Sequence, residues 1–142
     1  MASPQDSLGF LLADVSRLMR FQFRKRLRGS SLTLAQARAL IYVSRHEGVR
    51  QVVLAEMIEI QPITLARTID HLAGLGLVER RADPNDRRAY QVYLTPAAAP
   101  HLAAIEKVAR QIRTQALRDL DDDEAANVVR ALQKMHKNLS VR

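Results

Sequence analysis

The sequence predicts a mainly α-helical fold with a small β-hairpin wing (α+β): a winged helix-turn-helix lobe joined to a helical region drawn from both chain ends. Three observations predict it. Apolar residues recur at helical spacing towards both ends of the chain. Between them, residues 51–75 read as a short helix, a tight link and a longer helix begun by proline. The period then switches to two around Asp83-Pro84-Asn85-Asp86, which is turn chemistry.

Leu8, Leu11, Leu12, Val15, Leu18 and Met19, continued by Phe23 and Leu27, form one long amphipathic helix over about 8–28, stopped by Gly29-Ser30-Ser31. Thr33-Leu34-Ala35-Gln36 is a capping-box pattern in which hydroxyl and amide satisfy each other's backbone donors. The helix it opens carries Leu40, Ile41 and Val43 and ends near His46-Glu47-Gly48. Residues 51–58 form a brief helix, Glu59-Ile60-Gln61 a tight link, and Pro62 starts a helix to Leu75 with Ile63, Ala66, Ile69 and Ala73 near one face. Leu77–Arg81 and Tyr90–Leu94 are strands of a hairpin with a basic tip at Arg87-Arg88. Thr95-Pro96 pairs an N-cap residue with proline at the first helical position. Two helices close the chain, the second opened by Asp121-Asp122-Asp123-Glu124 at the positive end of its dipole.

At 142 residues and 47% hydrophobic composition the chain suits one domain with helical arms and a real core, so disorder is excluded as the main state. There are no cysteines, which removes disulfides, thiolate metal sites and thiol redox sensing together. No apolar run approaches the roughly 20 residues of a membrane helix, and Met1–Asp6 lacks the pattern of a secretory leader. A soluble, cytoplasmic protein that does not engage membranes is expected. His46, His71, His101 and His136 are scattered, so no metal and no cofactor are expected. Phosphate loops, nucleophile elbows and dinucleotide fingerprints are missing, and an enzyme is not expected.

The net charge is +7, which favours an anionic partner, nucleic acid first. It is spread along the chain: +4 over residues 1–28, zero over 29–76, +1 over 77–95 and +2 over 96–142. The densest run, Arg24–Arg28, reads either as a solvated helix end or as an anion contact. A helix fits the major groove of B-DNA, and an arginine-bearing hairpin can enter the minor groove. Gln61, Thr64, Leu65, Arg67, Thr68 and His71 are the candidate outward residues of the recognition helix. Arg67 can read guanine or clamp phosphate, and the sequence leaves both open. On the wing, Arg87 and Arg88 stand beside Asp83 and Asp86, where one carboxylate bracing one guanidinium would hold the tip in position. Helices 8–28, 97–119 and 122–139 carry more apolar surface than one small lobe can cover, which points to a homodimer.

Leu54-Ala55-Glu56, Thr68-Ile69-Asp70-His71-Leu72, Gly76-Leu77-Val78-Glu79-Arg80, Asp83–Ala89 and Val92-Tyr93-Leu94-Thr95 together resemble the multiple-antibiotic-resistance regulator (MarR) family, most closely its SlyA-like branch. The resemblance covers nearly the whole chain. It implies a homodimeric, cytoplasmic transcription regulator that binds double-stranded DNA, by family tendency a repressor. Residues 1–30 and 96–142 would form the dimerisation region, and residues 31–95 the DNA-binding lobe. It makes Arg67, Arg87 and Arg88 the leading DNA contacts, with Asp86 bracing the wing. Two-fold symmetry then predicts a pseudo-palindromic operator with half-sites about 34 Å apart. The family commonly binds small, often aromatic, anions between dimerisation helices and lobe. Arg17, Arg20, Phe21, Arg24, Tyr42 and His46 are the matching pocket candidates for a small-molecule effector. The rival readings are a winged-helix protein-docking module and a non-specific architectural DNA binder, and salt dependence and competition separate them.

Overall fold

The computed structural model describes residues 7–141, so the reading of Met1–Asp6 lies outside the described residues. The chain divides after Ala109 into two compact units. The first holds α1 (Leu8–Arg26), α2 (Leu34–Arg45), β1 (Val49–Arg50), α3 (Gln51–Ile58), α4 (Pro62–Gly74), β2 (Val78–Asp83) and β3 (Asp86–Leu94), followed by a 3-10 turn, Pro96–Ala98. Helix α5 (Ala99–Ala116) runs on past the division, and α6 (Asp122–Ser140) lies in the second unit.

Local chemistry sets these boundaries. Ser7 caps α1, its hydroxyl accepting from the Phe10 amide. The Thr33–Gln36 capping box forms in full, and Asp121–Glu124 makes a second one at α6. Helix α3 ends on Glu59 in the left-handed region (φ 61°), which turns the chain sharply into α4. The Thr95 hydroxyl does not cap the 3-10 turn beside it, contrary to the sequence expectation. It donates to the Gly76 carbonyl at 2.5 Å and, with the Thr95 amide on Leu77 O, closes the base of the hairpin.

The sheet has three antiparallel strands in the order β1-β3-β2, one more than the expected hairpin. Strand β1 adds only two pairs, Val49 with Val92 and Arg50 with Gln91. Its approach is close. Gly48 has φ 86°, and a Cβ there would stand 3.1 Å from the Tyr93 hydroxyl, so both conformation and space ask for glycine. The core of the first unit joins Leu40 and Val43 of α2, Leu54 and Ile58 of α3, Leu65, Ile69 and Leu72 of α4, Val78 and Val92 of the sheet, and Ile105 of α5. Phe23 and Leu27 pack the C-terminal end of α1 against it.

The inward face of α4 is therefore Leu65, Ile69 and Leu72, spaced i, i+4, i+7. Ile63, expected on that face, is 64% exposed. Leu65 is 0% exposed, which corrects its expected place among the outward residues. Leu65→Ala is accordingly expected to cost about 2–5 kcal/mol of stability. Thr64→Ala, one residue earlier and exposed, should stay within about 0.5 kcal/mol. Urea unfolding of the two variants checks the assignment.

Candidate nucleic-acid interface

Pro62 begins α4, and Gln61 sits at its N-cap without a capping hydrogen bond from its side chain. Gln61, Thr64, Arg67 and His71 are exposed, and the last three share one helical face opposite the core. Thr68 is half-buried, and its hydroxyl donates to the Thr64 carbonyl at 3.1 Å. Arg67 and His71 also line a shallow depression of about 450 Å³ with Asp70, Gly74 and Leu75.

The wing turns through two residues, Pro84-Asn85, after a bulge at Ala82/Asp83. Asp83 explains why it turns there. Its Oδ1 accepts from the Asn85 amide at 2.8 Å, and its Oδ2 accepts from Arg50 Nε at 2.6 Å. The Asp83 side chain is only 3% exposed. These donors, the Asn85 amide first and the Arg50 guanidinium next, hold the carboxyl below its ordinary range against the opposing effect of burial. Asp83 thus braces the wing, but through Arg50 on β1 and not through a tip arginine. Asp86 accepts from the Arg88 amide at 3.0 Å and shapes the start of β3 through the backbone. The expected carboxylate brace on a tip guanidinium is not what the structure builds.

A carboxyl held below its unfolded value stabilises the fold fully above that unfolded value, about pH 4, and loses the contribution as pH falls through the lower folded value. Urea midpoints should therefore drop more steeply below about pH 4 for the wild-type protein than for Asp83→Asn. Equal slopes would remove the bracing role.

The four wing arginines divide into two pairs. Arg81 is engaged on the wing face: its guanidinium donates to Glu79 Oε1 and lies 3.8 Å from the centre of the Tyr93 ring. Arg80 turns inward, its Nε donating to Gln51 Oε1 at 2.7 Å, Nη2 to the Ala66 carbonyl at 3.0 Å, and Nη1 pairing with Asp70 at 2.6 Å. Arg87 and Arg88 are exposed at the start of β3, directly after the wing turn, and among the described residues neither guanidinium is paired. Sequence reasoning missed the roles of Arg50, Gln51 and Arg80. Arg80 stood inside a quoted motif, but nothing in its spacing announced a contact with α4.

The expected effector residues lie on α1 and at the C-terminal end of α2. Arg17 pairs with Asp14 at 2.9 Å, Arg20 donates to Ser16 at 2.6 Å, Phe21 is exposed, and Tyr42 stacks on His46 with ring centres 6.4 Å apart. Arg24 lines a cavity of about 570 Å³ between the end of α1 and the start of α2, together with Arg28, Arg38, Leu27, Leu32 and Leu34. Among the described residues no cluster of three or more potential metal ligands occurs, and no helix is long and apolar enough to cross a membrane.

The family model of MarR matches residues 32–90, the span from the loop before α2 into β3. The transcriptional regulator PA3341 is similar over 96% of this chain and 100% of its own, at 36% identity and a TM-score of 0.79. A crystal structure of MarR covers 98% of this chain and 95% of its own, at 27% identity and a TM-score of 0.84. A MarR-family transcriptional regulator from Silicibacter pomeroyi covers 94% and 90%, at 27% identity and a TM-score of 0.79. The winged helical fold and the similarity extend over nearly the whole chain, well beyond the helix-turn-helix. This chain belongs to the MarR family and has the fold of its transcription regulators.

Proposed function

We infer that this protein is a homodimeric, cytoplasmic repressor of the SlyA-like kind that binds a pseudo-palindromic operator and is released by a small anionic ligand. One observation carries the DNA reading. Within one lobe, Arg67 on the outward face of α4 and Arg87 and Arg88 on the wing are exposed cations, while neighbouring Arg80 and Arg81 are engaged by the protein. Exposed guanidiniums on a groove-sized helix and on an adjacent hairpin suit major- and minor-groove contacts made together. Helix α4 itself brings little bulk charge, so base contact by Gln61, Thr64, Arg67, Thr68 and His71 favours a specific site over an architectural role.

Dimerisation is supported by each unit separately. On α1, Leu8, Leu11, Leu12, Val15, Leu18 and Met19 are 38–60% exposed, and α6 exposes Val128, Val129 and Leu132. A second copy would cover such surface. The cavity walled by Arg24, Arg28 and Arg38 over leucine side chains supports the anionic ligand. The SlyA-like placement is supported by the pattern Leu65-x-Arg67-Thr68-x-Asp70-x-Leu72 and by Asp86-Arg87-Arg88-Ala89. Repression is the family's tendency.

Selection of bound duplexes from a random pool tests the whole reading. Enrichment of two inverted half-sites about one helical turn apart is expected. Sequences without inverted symmetry would remove the dimeric operator, and no enrichment at all would remove specific binding.

A further inference from the structure

The Arg80 side chain bonds β2 to both helices of the helix-turn-helix. Its partners lie on two elements: Gln51 on α3, and Ala66 and Asp70 on α4. They are 29, 14 and 10 residues away in the chain (Arg80 minus Asp70 gives the last). The guanidinium is a planar fork whose donors point in fixed directions, so three acceptors define its orientation. Ala66 and Asp70 stand one turn apart on the flank of α4, between its core face of Leu65, Ile69 and Leu72 and its outward face of Thr64, Arg67 and His71. Two anchors on that flank fix the rotation of α4 about its own axis, and with it the direction in which the outward residues point. The same arginine sits in β2 opposite Val92 of β3, and β3 carries Arg87 and Arg88 in the irregular stretch between its pairs at Asp86 and Tyr90. Its side chain is 24% exposed, less wetted than a plain surface ion pair, although Asp70 itself is open to solvent.

We propose that Arg80 is a positioning residue that locks the recognition helix to the wing, so that the groove contacts of α4 and those of Arg87 and Arg88 fall in register on one DNA site. The proposal rests on the DNA-binding reading for its consequence, but the lock itself is a property of the free protein. Arg80 acts through the residues it holds and touches no base.

The cysteine-free chain allows a direct measurement. Spin labels at Thr64→Cys and Asn85→Cys, in dimers diluted with unlabelled chain, report the distance between recognition helix and wing tip. One narrow distribution is expected with Arg80 present and a clearly broadened one in Arg80→Met, with Arg80→Lys in between. In DNA binding, Arg80→Met should lower the ratio of specific to non-specific affinity by about tenfold or more, while non-specific affinity and its salt slope stay unchanged. Combined with Arg88→Ala it should lose less than the two single variants together, because a misplaced wing has less contact to forfeit. An unchanged label distribution with additive losses overturns the proposal. So does a lowered melting temperature accompanied by an unchanged distribution in the folded protein, since that describes a merely stabilising contact. Where Arg80→Met does not fold, Gln51→Met and Asp70→Asn remove partners one at a time and are read by the same label distances. Failure of the wild-type protein to bind any site specifically would overturn the DNA reading instead, and the label distances, which need no DNA, still decide the lock.

Discussion

Arg88→Ala is expected to destroy high-affinity DNA binding while leaving the fold and the proposed dimer intact. An arginine contact to DNA is worth about 1–3 kcal/mol, and a two-fold complex contains it twice. The loss is then about 2–6 kcal/mol, or about 30-fold to above 10⁴-fold in Kd. The side chain is exposed and unpaired in the free protein, so its removal breaks no internal bond; what Arg88 gives the wing internally is its backbone amide, donated to Asp86, which alanine retains. Arg87→Ala should weaken binding in the same direction. Anisotropy titrations beside sedimentation and far-UV circular dichroism separate loss of contact from loss of structure. Unchanged affinity in both variants would remove the wing from the interface.

Leu12→Glu is expected to split the proposed dimer. Leu12 is 41% exposed in the single chain and stands in the apolar stripe of α1, ahead of the segment that Phe23 and Leu27 anchor to the core. Burying a leucine contributes about 1.5–3 kcal/mol, twice across a two-fold interface, so the loss of burial alone weakens association by about 100-fold or more. A carboxylate placed in the interface adds a desolvation cost. Sedimentation over a concentration series should show a folded monomer, and specific DNA affinity should fall with it because two half-sites then engage two separate molecules. Identical association states for the variant and the wild-type protein would place the dimer contact elsewhere.

Most of the fold was legible because its signals are local. Caps, proline starts and the change of period act within four residues, and Thr33, Pro62 and the Asp83–Asp86 turn read correctly for that reason. The misreadings share the opposite property. Strand β1 is two residues long, too short to show a period, and exists only because β3 lies beside it. The Arg50–Asp83 pair spans 33 residues, so the carboxylate looked like a partner for the nearer arginines. Helix α4 offers apolar residues on both sides, and choosing Ile63 with Ala66 as the inward edge turned Leu65 out. The i, i+4, i+7 set wins because it buries Leu65 and Leu72 beside the shared Ile69, where the other choice puts Ile63 and the small side chains of Ala66 and Ala73. For the candidate site, the exposed residues were legible by type and the residues that hold them were not.

Specific DNA recognition by the lobe that carries α4 and the wing is open to direct measurement. Its most direct test is fluorescence-anisotropy binding of the wild-type protein to the DNA upstream of its own coding region, with unrelated duplex as competitor and a salt series. Tight binding that survives competition and weakens as salt rises is expected, with a slope set by the phosphates contacted. Weak binding that unrelated duplex displaces equally well would contradict specific recognition.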